Sequence, residues 1–354
     1  MRWHGEGWTE WDLLQAARPR FPGHRQPKVP LWGYEDESRP DVMRRKAQAA
    51  ADHGLSHFIF DWYFYEGRPF LNKCLDRGFL GIEGGPPLEF ALMWANHDWL
   101  NIQPAQLAGN APVMKRGAVD AEQFDQLTQE ALTRYFSHPK YWKIAGCPYF
   151  SIYDLPCLVR GLGGLAPVRA ALLDFRRKAQ AAGFPGLHLN LVHWQERIVG
   201  SEDSVDLSPE AIAGLGFDSI SSYVWIHHFS AYDFPETPFT RVMDHNIGYW
   251  KRMAESFAIP YFPNVTMGWD ASPRTCQTDK FEERSYPYMA TLKDNTPAHF
   301  ERALRAVKQH LDSHPLPVKH FSVNAWNEWT EGSYLEPDTE HGYAYLEAIR
   351  HVFR

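Results

Sequence analysis

The feature that most restricts this chain is a rhythm. From residue 41 onward, stretches with helical patterning alternate with short apolar-aromatic runs. "DVMRRKAQAAADHG" ends at Gly54 and gives way to "HFIFDWYFY"; "EFALMWANHD" follows a Gly-Pro loop. "AEQFDQLTQEALTRYF" leads to "PYFSIYD", "APVRAALLDFRRKAQAAGF" to "LHLNLVHW", and "SPEAIAGLG" to "FDSISSYVW". "TRVMDHNIGYWKRMAESFA" leads to "YFPNVTMGWD", "PAHFERALRAVKQHL" to "KHFSVNAWNEW", and "HGYAYLEAIRHVF" closes the chain as a helix. Apolar strands separated by helices predict βα units around a parallel sheet. No linker or low-complexity tract breaks the series, so residues 1–354 are expected to form one α/β domain, a (β/α)8 TIM barrel. Only seven strands are legible. The first forty residues read as loop with one helical turn, so the first strand is expected to be missing or atypical.

A net charge of −7 offers no basic field to gather phosphates, which argues against nucleic acid and anionic membrane surfaces as partners. No run approaches the roughly 18 apolar residues of a membrane span. "MRWHGEGWTEWD" has no apolar stretch of signal-peptide type. The expectation is a cytoplasmic protein, with a secreted or periplasmic one left open if residues precede Met1. Cys74, Cys147, Cys157 and Cys276 form no C-x-x-C pair and are expected to be free thiols.

In parallel barrels the active site lies at the C-terminal ends of the strands. Here those ends carry acids and amides beside large aromatics. They are Asp61, Trp62 and Tyr63; then Trp94, Asn96, His97 and Asp98; then Tyr153; then His193 and Trp194. The series goes on with Tyr223 and Trp225, with Trp269, Asp270 and Arg274, and with Asn327 beside Glu328 and Glu331. Aromatic faces with one polar edge suit sugar rings, so a carbohydrate substrate is expected in a shared cleft. All of these except His97, Trp194 and the two glutamates are taken as substrate-binding.

Glu328 and Glu331 are the candidate catalytic pair. Glycoside hydrolysis commonly uses two carboxyl groups, one kept protonated by apolar surroundings, and Trp326 and Trp329 stand beside them. On a regular strand, positions i and i+3 face opposite sides. Both glutamates reach one cleft only if the chain turns near Trp329, with Gly332 placed to complete the turn. Glu336 precedes Pro337, is held extended, and reads as a supporting group. His227 and His228 are adjacent and no H-E-x-x-H occurs, so no metal and no cofactor is expected. "GLGGLA", residues 161–166, mimics a dinucleotide-binding pattern but stands apart from its strand and reads as a loop.

"NAWNEWTEGSYLEPD…HGYAYLEA" closely resembles the C-terminal motif of the WbsX family, also described as glycoside hydrolase family 99-like domains. "GEGWTEW", "FDWYFYEG", "LMWANHDW", "HPKYWKIAGCPYFSIYD" and "FPNVTMGWDASPR" agree in the same order, so the resemblance covers nearly the whole chain. It implies a (β/α)8 barrel acting on carbohydrate. By the related endo-α-mannosidases, it implies that Glu328 is the base assisting attack by the sugar's own 2-hydroxyl. Glu331 is then the acid that protonates the leaving oxygen and later activates water. Relatives usually read Trp-Ala-Asn-Glu where this chain has Trp94-Ala95-Asn96-His97, and they carry an apolar strand ahead of "GEGWTEW". Many WbsX proteins are described as glycosyltransferases of polysaccharide synthesis, which leaves transfer as the alternative to hydrolysis.

Overall fold

In a computed structural model, "HFIFDWYFY" is one strand, β1 (His57–Tyr65). The structure describes residues 7–108, 111–194, 208–316 and 318–354. Alternation along β1 sorts its side chains. Phe58, Phe60 and Trp62 pack towards the helices, against Phe79, Phe90 and Tyr135. Ile59, Asp61 and Tyr63 take the opposite, concave face, as the period of two requires.

Six further runs of the rhythm are strands as well: β2 (Glu89–Trp94), β3 (Cys147–Ile152), β4 (His188–Val192), β5 (Ser219–Ser221), β6 (Tyr261–Phe262) with β7 (Asn264–Thr266), and β8 (Ser322–Asn324). β6 and β7 are one run interrupted by Pro263, which has no N–H for a ladder. All pair in parallel, in the order β1–β2–β3–β4–β5–β6, with β7 on β8. The fold is thus mixed α/β around a mostly parallel sheet. Among the described residues no strand pairing joins β8 to β1, although the two edges curl towards each other. The rings of Phe58 and Trp326 lie 5.0 Å apart, and those of His57 and His320 lie 5.1 Å apart.

α1 (Glu10–Ala16) lies at the cleft end, with Leu14 against Trp329 and Tyr334, and the other helices flank the sheet: α2 (Pro40–Asp52), α3 (Ala121–Glu130), α4 (Leu155–Leu162), α5 (Leu165–Ala181), α6 (Pro209–Leu215), α7 (Phe239–Ser256), α8 (Pro297–Ser313) and α9 (Ala344–Phe353). α1 is longer than the single turn expected of the first forty residues, and no sheet strand precedes β1 among the described residues. Helices start where their sequences place caps: the Asp120 carboxylate accepts the N–H of Gln123, and Thr296 caps α8 ahead of Pro297. Buried side chains such as Phe150, Phe175 and Leu172 join sheet to helices, each worth about 1.5–3 kcal/mol of burial. Of the "GLGGLA" segment, expected as a loop, only Gly163 and Gly164 form a break, between the end of α4 and the start of α5, with Gly163 in the left-handed region at φ 84°. The four cysteines are unpaired. No single described helix is long and apolar enough to cross a membrane.

Candidate active site

After β8 the chain makes an antiparallel hairpin, Asn327–Glu328 against Ser333–Tyr334. Its tip is the 3-10 turn Trp329–Glu331, followed by Gly332 at φ 63°. This is the reversal that the i, i+3 spacing demanded, and it brings both glutamates to one guanidinium. Arg274 donates to Glu331 at 2.7 Å and to Glu328 at 3.0 Å. Its Nε donates to Thr330 at 2.8 Å, and Glu10 of α1 stands 3.5 Å from its other edge. The Tyr286 hydroxyl donates to Glu331 at 2.7 Å while accepting from Arg274. Glu331 therefore has two donors and Glu328 one. Burial pushes the Glu328 carboxyl well above the ordinary carboxylate range, and the Glu331 charge adds to this against the pull of Arg274.

Asp61 projects from β1 into the same space and accepts the Tyr223 hydroxyl at 2.9 Å. Burial raises Asp61 to about 6, opposed by that hydrogen bond and reinforced by Glu331. A continuous aromatic wall runs from here: Trp99 to Tyr63 at 5.3 Å, Tyr63 to His97 at 5.8 Å, His97 to Tyr153 at 5.7 Å, and Tyr153 to Trp194 at 4.5 Å and Tyr223 at 5.2 Å. Burial raises the phenols of Tyr63, Tyr153, Tyr223 and Tyr286, so all four remain hydroxyl donors. Burial also lowers His97, leaving a neutral imidazole in the wall.

Asp61, Tyr63, Tyr153, Tyr223, Arg274, Glu328 and Glu331 thus converge. The other expected contacts do not. Trp62, Trp94 and Trp225 point into the helix layer and are at most 2% exposed; Trp94 packs on Phe124, and the Trp225 indole donates to the Asn264 carbonyl. Trp62 alternates with Asp61 and Tyr63, so it cannot share their face. Asn96 ties β2 to β3, donating to the Asp154 carbonyl and accepting its N–H, each at 2.7 Å. Asp98 holds Gly117 and Arg116, and Asp270 holds His24 and Gln26. His193 is turned to the Tyr249 hydroxyl at 3.0 Å, and burial lowers it to about 4. Trp269 is buried, with its ring 6.2 Å from Tyr286, and Asn327 is exposed and donates to Glu37. The two tryptophans of the motif do not enclose Glu328. Trp329 stacks on Tyr334 and donates to Glu336, while Trp326 lies against Phe58.

Glu336 is a supporting group, paired with the buried Lys46 of α2 at 2.6 Å. Lys46 also holds Glu37 at 2.7 Å, so one ammonium anchors the partners of both neighbours of Glu328, Asn327 and Trp329. Sequence reasoning missed Tyr286 and Glu10, which sit on a loop and on the N-terminal helix, outside any strand-end pattern. His97 and Trp194 were visible at strand ends but were not taken as site residues. Among the described residues no group of three or more His, Cys, Asp or Glu is placed to hold a metal ion. His227 stacks on Trp194 at 4.2 Å and His228 on Tyr249 at 4.1 Å.

Three comparisons bear on this arrangement. A protein WxcX, described as uncharacterized, from Xanthomonas campestris pv. campestris strain B100 is 29% identical over 98% of this chain and 46% of its own length. The chain therefore spans about half the length of the curated relatives it matches. A solved structure described as a glycoside hydrolase-like protein superposes with a TM-score of 0.63 at 13% identity, covering 92% of this chain and 89% of that one. The GH99 endo-alpha-mannosidase of Bacteroides thetaiotaomicron, with BIS-TRIS-propane bound, gives 0.55 at 15% identity, over 92% and 86%. At such identity the likeness is one of fold. The profile of the family described as "Glycosyltransferase WbsX" matches residues 1–349, and the chain belongs to that family.

Proposed function

We propose that this chain is a retaining, metal-independent glycoside hydrolase acting on an oligo- or polysaccharide, built on a (β/α)8 barrel. The observation that carries the reading is the meeting of Glu328 and Glu331 on Arg274 beside a wall of neutral phenols and rings. The wall offers C–H-binding faces and hydroxyl donors, the chemistry a sugar presents. Burial holds the Glu328 carboxyl well above the ordinary range, so the pair has a proton to give, and a carboxyl pair in unequal surroundings can supply one acid and one base.

The resemblance makes Glu328 the base for the 2-hydroxyl and Glu331 the acid for the leaving oxygen. At rest the environment favours the proton on Glu328. Passing that proton to Glu331 frees the base and arms the acid together, and Arg274 touches both groups throughout. The 2-hydroxyl gives its proton to Glu328, and its oxygen attacks the anomeric carbon as the leaving oxygen departs with the Glu331 proton. Water then attacks the anomeric carbon, giving a proton to Glu331, and the bridging bond opens as Glu328 returns its proton to the 2-oxygen.

The test is product analysis by NMR on a broad glycan panel. Glu328→Gln and Glu331→Gln are expected to lose about 10²–10⁴-fold in kcat; full activity in both sinks the assignment. On an aryl glycoside with a good leaving group, Glu331→Gln should recover much of its rate and Glu328→Gln should not. The second reading, glycosyl transfer from an activated sugar, is favoured by the family's description. Saturable binding of a nucleotide sugar by calorimetry, with no glycan cleavage, would support it instead.

A further inference from the structure

The Asp270 carboxylate is a buried charge with no part in the chemistry above. It is 8% exposed, and three protein donors converge on it. Oδ1 accepts the Ser272 N–H at 3.0 Å, and Oδ2 accepts from His24 Nε2 at 2.8 Å and from Gln26 Nε2 at 2.7 Å. Both side-chain donors are themselves oriented. The Arg20 N–H donates to His24 Nδ1 at 3.0 Å, which puts the imidazole proton on Nε2. The Lys28 N–H donates to Gln26 Oε1 at 3.0 Å, which turns the amide nitrogen of Gln26 to Asp270.

Through its backbone Asp270 reaches both halves of the catalytic arrangement. Its N–H donates to the Glu331 carbonyl at 2.6 Å. The Ser272 N–H that it holds opens the 3-10 turn Ser272–Arg274. One residue thus fixes the turn that presents Glu331 and the turn that presents Arg274. Arg20 secures the far end of the second turn, donating to the Thr275 hydroxyl at 2.6 Å and to the Cys276 carbonyl at 3.3 Å.

We propose that Asp270, with His24 and Gln26 behind it, is a positioning residue that sets where the Arg274 guanidinium stands against the Glu328–Glu331 pair. The inference rests on the role given above to that pair. Arg274 pulls the Glu328 carboxyl down, against burial and the Glu331 charge. A guanidinium held loosely pulls less, and the pair then keeps its proton to higher pH. The clamp therefore fixes the pH at which one carboxyl serves as acid and the other as base.

The test works from behind the carboxylate. His24→Phe keeps a ring to stack on Phe21, at 4.4 Å in the parent, and removes the donor; Gln26→Leu removes the other donor. The double variant is expected to lose about 10–100-fold in kcat per folded molecule, with KM changed less than about twofold. Both limbs of its pH profile should move to higher pH. His24→Gln, whose amide can still donate to Asp270, should keep most of the rate and the parent profile. A second readout needs no substrate. The Arg274 Nε–H, which donates to Thr330 at 2.8 Å, is expected to exchange with solvent about tenfold faster or more in the double variant, by 15N NMR of arginine side chains. Unchanged exchange in the folded variant overturns the proposal whether or not any glycan is cleaved. If the parent cleaves a glycan and the double variant keeps its kcat and pH profile, the hydrolase reading stands and the proposal falls. Should the double variant not fold, each single variant is expected to show the same changes to a smaller degree, and their absence overturns the proposal equally.

Discussion

Asp61 is a residue of the cleft whose ionisation works against the fold. Its carboxyl is raised to about 6 in the folded protein, against an ordinary 3.8. The folded state therefore holds the proton more tightly between those values, and its contribution to stability falls as pH rises from about 4 to 6. Asp61→Asn keeps an oxygen for Tyr223 and removes the charge. It is expected to be more stable than the parent at pH 7 by about 2 kcal/mol, with the gap closing below pH 4, by urea titration across pH. This residue was legible in the sequence because it is the lone acid within an apolar-aromatic strand. Trp62, beside it, was misread because strand-end composition does not say which face a side chain takes; alternation does. Tyr286 gave no signal at all, since nothing in a loop's composition tells which hydroxyl will fold back onto a carboxylate.

The turn Trp329–Glu331 is the element on which the chemistry depends. Its closure by Gly332 could be anticipated from the spacing of the two glutamates. Its anchoring could not, because the anchors come from α2 and from the segment before it, almost 300 residues away. A Cβ at Gly332 would meet the Asp270 backbone nitrogen at 2.8 Å and its Cβ at 2.7 Å, at a φ that L-residues avoid. Gly332→Ala is expected to cost at least about 2 kcal/mol in chemical denaturation. It should also lower kcat more than the loss of folded protein explains, because the turn carries Glu331. Lys46→Met leaves Glu37 and Glu336 without their cation. A loss of about 3–5 kcal/mol is expected, smaller when Glu336→Gln is added, by a double-mutant cycle.

At the scale of the whole molecule, the rhythm of the sequence located β1 to β8 because they lie in apolar runs bounded by turn residues, but it gave no sign of the short parallel pair Glu236–Pro238 and Thr291–Lys293. It could not show how the edges of β1 and β8 approach, since the rings that meet there, His57 with His320 and Phe58 with Trp326, stand more than 260 residues apart in the chain. Hydrogen bonds lock neighbouring strands both within the sheet, where Asn190 donates to Ser151 and Ser221, and at its cleft end, where Asn96 donates to the Asp154 carbonyl. Rigidity in the sheet thus supports a cleft assembled mostly from turns.

The guanidinium at the centre of that cleft is 12% exposed, and the Glu331 it holds is 10% exposed. Added salt shortens the range of charge–charge forces through solvent, from about 10 Å at 0.1 M to about 3 Å at 1 M, but acts weakly on pairs sealed from water. A reaction run by these groups on a neutral sugar should hold its rate as ionic strength rises across that interval. A rate that falls steeply with added salt would instead indicate an anionic substrate steered in from solution.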